Sequence, residues 1–330
     1  MKITSKKTDD LNQVLTVNVA ADDYMTARKK KLADLQRRAE VPGFRKGKVP
    51  ASLIEKWYGE SALADAVNSV VGEALQKHME EKKLDIIGEP LPVEEKDEQE
   101  WKAGNDFVFK FDIALTPKVS LTLDKTDEVT SYNINVTETE KKKLAEAYKK
   151  QQEGAEKPVT DEEIAKQVDA QLSSEYKQAS EFRLEKDIRD YCVNKAGIQL
   201  PEKFLRRWLI AANEGKFTPE QIDKDFEGFL ADYRWQLVMA SLTEQFGIKV
   251  EEADLTAEAT NFAKYQYAMY GIANPPEDAI EGIVKNMLQD QSSLQRMAEN
   301  IQARKVIAAI REKISVKAKK ISADKFRELK

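Results

Sequence analysis

The hydrophobic period changes along this chain, and that change decides what it can fold into. Leu15, Val17 and Val19 alternate with Thr16 and Asn18, and Phe107, Phe109, Phe111, Ile113 and Leu115 alternate with Lys110, Asp112 and Ala114. A two-residue period places one face of a strand in a core and the other toward water. From Thr160 onward the apolar residues recur three and four apart instead. Ile164, Val168, Leu172, Tyr176, Ala179 and Phe182 keep one face of a long helix, which should stop before Gly197. Strands therefore belong to the amino-terminal part and helices dominate the rest.

Helices are expected between those strands as well. One runs from about Asp22 to Arg38 with Tyr24, Ala27, Leu32 and Leu35 inward. Pro50 suits the first position of a short helix carrying Leu53, Ile54 and Trp57, which Gly59 ends. A longer helix starts at Ser61 and presents Leu63, Val67, Val70, Val71, Ala74, Leu75 and a half-buried His78. Leu84 to Ile87 reads as a strand that Pro90 and Pro92 break, and Glu94 to Glu100 as an acidic turn. Strands enclosing helices make residues 1–117 an α+β domain.

Residues 118–157 read as linker strands, at Val119 to Leu123 and at Tyr132, Ile134 and Val136. A helix follows, opened by the capping box at Thr137 and interrupted by Gly154 to Pro158. Residues 158–330 are expected to form an elongated, mainly α-helical carboxy-terminal domain. Its punctuation is Thr160 with Glu163, Pro201, Thr218-Pro219-Glu220-Gln221, Gly247, Gly271 and Pro275-Pro276. The last long helix carries Leu294, Met297, Ile301, Ala308 and Ile314, before a Lys-rich tail from Lys317 to Lys330. These apolar stripes are narrow, so the bundle keeps exposed surface.

Within the first domain, Val41-Pro42-Gly43-Phe44-Arg45-Lys46-Gly47-Lys48-Val49-Pro50 concentrates backbone punctuation, one large apolar side chain and three cations. The prolines fix φ at each end and the glycines permit positive φ, so the loop is shaped. Phe44 should stand at its tip with Arg45, Lys46 and Lys48 as charge-assisted donors for phosphate or carboxylate. The plain alternative is a solvated connection between helices. A phosphate-cradling P-loop is excluded by spacing, and by Val49 where Ser or Thr should hold magnesium.

Charge sharpens this reading. The net charge is −5, yet Arg28 to Lys48 holds nine Lys or Arg against Asp34 and Glu40, a local +7 that leaves −12 for the remainder. A general nucleic-acid binder is basic throughout, whereas this distribution would orient one end toward a polyanion. No stretch approaches the roughly eighteen apolar residues of a membrane span, and the start lacks the apolar run of a signal peptide, so a cytoplasmic protein is expected. Cys192 and His78 are each the sole residue of their type. With no metal-ligand spacing and no nucleophile pair, neither metal, cofactor nor catalytic residue is expected. Carboxylates number 58, so close pairs arise by chance and make a hydrolase the weakest reading.

Gly43-Phe44-Arg45-Lys46-Gly47-Lys48-Val49-Pro50 resembles the ribosome-docking signature G-F-R-x-G-x-x-P of bacterial trigger factor, a chaperone of the polypeptide tunnel exit, and all five fixed positions are present. The order of elements around it and Gly88-Glu89-Pro90 are similar to the ribosome-binding domain of that family. The resemblance implies ribosome contact through Gly43, Phe44, Arg45, Lys46, Gly47, Lys48 and Pro50, with tunnel-exit protein and rRNA as partners. It also implies a helical cradle for nascent and unfolded polypeptides, with homodimerisation left open. Tyr265, Tyr267, Met269 and Tyr270 crowd one helix beyond what a single face can bury, and with Met287 they are the candidate client-binding residues. The chain departs from the family where a prolyl-isomerase domain of the FKBP-like type is usually inserted. Only Gly154 to Pro158 stands there, so no isomerase activity is expected. An ATP-independent holdase is the leading reading, and an assembly or anchoring factor without client holding is the alternative.

Overall fold

The computed structural model of the chain describes residues 1–93, 99–151, 160–213 and 215–329. The break expected at Gly154 to Pro158 and most of the acidic turn at Glu94 to Glu100 lie outside them. The chain divides into two compact units, one of residues 1–118 with 199–230 and one of 119–198 with 231–330. Residues 199–230, expected within the helical domain, thus cluster with the amino-terminal segment.

The first unit is built on a four-stranded antiparallel sheet of order β1-β2-β4-β3, with β1 at Lys2–Lys7, β2 at Asn12–Val19, β3 at Leu91–Pro92 and β4 at Phe107–Ala114. The two alternating runs pair as their pattern requires, with Leu15 opposite Phe111, Val17 opposite Phe109 and Val19 opposite Phe107. Their inward side chains meet Tyr24 of α1 (Ala21–Arg38) and Leu63, Val67, Val71 and Leu75 of α2 (Ala51–Lys82) in one core. Burying each such side chain stabilises the fold by about 1.5 to 3 kcal/mol. β1 went unforeseen because only Ile3 is drawn inward, and its Lys-rich outer edge discourages further pairing.

Three expectations need correction here. α2 is one helix of 32 residues, not two, and Gly59 is buried inside it. Arg28 is buried too, with Nη2 donating to Glu55 and to the Gly59 carbonyl, and a Cβ at Gly59 would stand 3.1 Å from Glu55 Oε1. Gly59 therefore makes room for an ion pair instead of ending a helix. Trp57, expected on an apolar inner face, is 48% exposed. Leu84 to Ile87 shrinks to one bridge, Ile86 to Leu115, because Lys83 and Gly88 at positive φ bend the chain on either side.

The strand expected at Val119 to Leu123 does not form: the segment pairs with no strand among the described residues, though Leu121 and Leu123 are buried. The first elements of the second unit are β5 (Glu128–Asn135), α3 (Glu138–Gln151) and α4 (Asp161–Ala196). Both capping boxes form: Thr137 Oγ1 accepts from Glu140 N and Thr160 Oγ1 from Glu163 N, each at 3.3 Å. α3 packs on Ile164, Val168 and Leu172 of α4. Phe182 lies about five turns beyond Ile164 on the same face. It is 75% exposed, past the level where α3 begins, and Leu184, Ile188 and Cys192 are the buried residues of this end of α4. α5 (Glu202–Ala212) and α6 (Pro219–Gln245) follow; residues to Leu230 belong to the first unit. The remaining helices are α7 (Glu252–Met269), α8 (Glu277–Gln289), α9 (Gln291–Lys313) and the short α10 (Ala323–Arg327).

The Lys-rich segment is not a tail. Ser315–Ser322 forms β6, which pairs in parallel with β5 from Glu128 opposite Ser315 to Asn135 opposite Ser322. It carries no alternation that sequence could show, because Val316 to Lys320 are exposed on both faces.

A carboxylate ties the ends of this unit together. Glu140 accepts from Tyr176 Oη at 2.6 Å and from Arg327 of α10, besides its capping contacts with Thr137. The Tyr176 hydroxyl first, then Thr137 and Arg327, hold its carboxyl at about 2, below its ordinary 4.5, against the opposing effect of burial. A depressed carboxylate stabilises the fold above its ordinary pKa, and that contribution is lost as pH falls through the folded value. Glu140→Gln should therefore lower the urea-unfolding free energy at pH 7 by roughly 1 to 2 kcal/mol. The gap between variant and wild type should close as pH drops from 4.5 toward 2. A gap unchanged across that window would refute the assignment.

Candidate docking site

The loop between α1 and α2 consists of two successive turns. Phe44 N donates to Val41 O at 3.0 Å and Lys48 N to Arg45 O at 2.9 Å. Gly43 (φ 90) and Gly47 (φ 75) each occupy the third position, where a type II turn demands positive φ, and Pro42 sets the second position of the first turn. Phe44 and Arg45 stand at the junction between turns. The exit is pinned by Val49, which is fully buried, and by Gln36 Nε2 donating to its carbonyl at 2.6 Å. Pro50 serves as the N-cap of α2, one place earlier than expected.

The structure thins the positive patch but keeps its character. Arg28 is buried against Glu55, Lys31 meets Asp65 at 2.9 Å, Arg37 meets Asp34, and Lys46 Nζ meets Glu40 at 2.6 Å. The Lys46 ammonium holds the Glu40 carboxyl below its usual range. Glu55 and Asp65 come from α2, outside the stretch over which charge was counted. Lys29, Lys30, Arg38, Arg45 and Lys48 are exposed and have no partner among the described residues. Phe44, 41% exposed, thus has two uncommitted cations in its own loop. Such a loop can bury an aromatic ring on a partner while its cations meet phosphate or carboxylate.

The helical candidates separate on inspection. Tyr265, Met269 and Tyr270 are 63, 71 and 85% exposed, whereas Tyr267 and Met287 are half-buried. α7 and α8 flank a groove of about 1160 Å³ whose apolar lining includes Ala268, Ile280, Val284 and Leu288, with Lys264 and Tyr265 at its side. Of the five candidates only Tyr265 lines it. Phe262 and Ile272, 45 and 43% exposed, extend the apolar surface and were missed. The turn after α7, with Gly271 at φ 77, could have signalled Ile272.

Comparison with known proteins bears on the family of the chain. Residues 1–148 match the family described as "Bacterial trigger factor protein (TF)", and residues 180–330 match "Probable trigger factor, C-terminal domain". The trigger factor of Lachnoclostridium phytofermentans is 37% identical over 140 residues, 41% of this chain and 32% of that protein's length. Among solved structures, one concerning promiscuous substrate recognition in folding and assembly activities of the trigger factor chaperone superposes with a TM-score of 0.55 at 15% identity. It covers 94% of this chain and 99% of that one. At that identity the likeness speaks for the fold.

Proposed function

We propose that this chain, which belongs to the trigger factor family, is an ATP-independent molecular chaperone. It docks at the ribosomal tunnel exit through residues 43–50 and shields nascent or unfolded polypeptides on its helical surface. The observation that carries this reading is the double turn that holds Phe44 outward between hydrogen-bonded Gly corners, with Arg45 and Lys48 uncommitted. A mere connection needs neither an exposed aromatic nor a fixed shape. The partners are then tunnel-exit protein and rRNA at the loop, and apolar polypeptide segments elsewhere, in the cytoplasm. An anchoring factor without clients is the weaker reading, because exposed Tyr265, Met269 and Tyr270 would then stabilise nothing.

The chain is also proposed to lack prolyl-isomerase activity. Residues 149–179 are all that separates the two matched stretches, fewer than the roughly 50 residues of a small domain. Purified chain should leave cis-trans isomerisation of a prolyl peptide at its uncatalysed rate, and catalysis that copurifies with it would overturn this.

Cosedimentation tests the docking site. Losing an aromatic that docking buries and the charge-assisted contact of Arg45 exceeds the ~1.4 kcal/mol of a tenfold change, even without full additivity and with Lys46 already paired to Glu40. Phe44→Ala with Arg45→Ala and Lys46→Ala should therefore weaken ribosome binding by about two orders of magnitude. Its melting temperature should hardly move, since Gly43, Gly47 and the buried Val49 stay in place. Added salt should weaken the wild-type complex. Equal sedimentation of variant and wild type would reduce the loop to a connection.

Client holding is read separately. The chain should suppress aggregation of an unfolded model protein without ATP, and Tyr265→Ser with Met269→Ser and Tyr270→Ser should require severalfold more chain for the same effect. Absence of suppression by wild type would favour the anchoring reading.

A further inference from the structure

β6 has no part in either of those roles, yet it is an unusual strand. Val316 to Lys320 are all exposed, so side chains on both of its faces meet solvent. β5 takes one edge, and among the described residues no strand pairs with the other. A free edge aims alternate N–H and C=O groups outward without protein partners. The strand is held from its ends: Ile314 and Ala323 are buried, Ser315 N donates to Asp127 O at 2.7 Å, and Lys125 Nζ donates to the carbonyls of Glu312 and Ile314 at 2.6 and 3.0 Å. It is therefore ordered before any partner arrives.

Its charge decides which partner. β6 carries Lys317, Lys319, Lys320 and no acidic residue. Lys317 is committed to Glu128, while Lys319, Lys320 and the flanking Lys313 and Lys325 make no ion pair with a described residue. Lysines on an edge repel a like strand, so pairing with β6 of a second copy is opposed. The same lysines attract an extended segment bearing carboxylates. A nucleic acid could meet the cations but offers no amide ladder for the edge.

We propose that the free edge of β6 is a docking edge for an extended, acidic polypeptide segment, which adds as a third strand with its main chain on β6 and its carboxylates toward Lys319 and Lys320. Backbone and charge select the segment here, whereas the groove beside α7 would select apolar area. The site stands independently of the ribosome and client assignments.

Fluorescence anisotropy on the full chain, without ribosomes, tests it with a labelled peptide of about nine residues in Glu-Glu-Thr repeats, which carries carboxylates on both faces of a strand and is matched to a strand's length. The peptide should bind, and its Lys-Lys-Thr counterpart should bind about tenfold more weakly or worse. Two versions N-methylated on opposite sets of alternate residues keep the charge and lose the donors; the one whose blocked set faces β6 should lose about tenfold. Lys319→Glu with Lys320→Glu should lose as much with an unchanged melting curve, and the Phe44, Arg45, Lys46 triple alanine variant should bind like wild type. No binding, or equal binding of the parent and both methylated peptides, would overturn strand addition. Tighter binding of a labelled oligouridylate through Lys319 and Lys320 would overturn the choice of partner.

Discussion

The second unit depends on one buried carboxylate, that of Asp127, which is 3% exposed. An ion at such a site costs several kcal/mol unless it is paired and hydrogen-bonded. Burial drives its pKa upward, and Lys195, Tyr191 and the Asp124 amide outweigh that and keep it lowered. The Tyr191 hydroxyl is pushed up to about 12 by its bond to Asp127, so the negative charge stays on the aspartate. The same carboxylate thereby joins the start of β5 to the end of α4, and its main-chain carbonyl receives Ser315 N at the start of β6. Parallel strands cannot be joined by a tight hairpin, and the residues bridged here lie 187 positions apart, as Lys125 and Glu312 do. Closing so long a loop carries an entropy cost that no local turn offsets. The Asp127 contacts give that closure a defined register. Cys192, adjacent in sequence to Tyr191, is pushed up to about 12 by burial first, which makes it a packing residue and not a reactive thiol.

The candidate docking loop rests on a comparable lock in the first unit. Arg28 bridges α1 to α2 through Glu55 and the Gly59 carbonyl, and both helices cover the sheet. The loop leaves this scaffold at Arg38 and rejoins it at buried Val49, so both of its ends are fixed. Two hydrogen-bonded turns then fix its interior. A loop already in its binding shape loses less entropy on association than a flexible one, and more of its contact energy appears as affinity. Glycine and proline therefore set the geometry from which Phe44 and Arg45 project.

Strand alternation, capping boxes and the Gly/Pro corners were legible in the sequence because each is a local pattern with a local cause. Thr137 with Glu140 and Thr160 with Glu163 form the bonds their spacing requires. The misreadings share a different origin. Gly59 looks like a helix stop until Arg28, 31 positions away, is found against it. β6 was hidden because an edge strand exposed on both faces needs no apolar alternation at all. Phe182 keeps perfect helical phase with Ile164, yet phase says nothing about how far the covering helix extends. The local charge of the docking patch was overestimated because Glu55 and Asp65 reach it from the next helix. In each case the deciding partner is remote in sequence.

On the proposed reading, exposed apolar surface must persist on this chain, and the distribution of charge bears on what that surface meets. Tyr265, Met269, Tyr270, Phe262 and Ile272 gather on and just after one helix, a patch that would ordinarily draw copies together. Outside residues 28–48 the chain carries −12, so like net charge opposes a face-to-face meeting of two such patches. That repulsion is long-ranged and weakened by salt, whereas burial of an apolar segment is short-ranged and hardly screened. On the proposed reading, a neutral or basic unfolded segment crosses a smaller barrier to this surface than the same patch on a second copy does. Concentrating the positive charge in one loop region preserves this discrimination, because the same cations spread over the surface would cancel the repulsion and lose the orientation they give toward a polyanion.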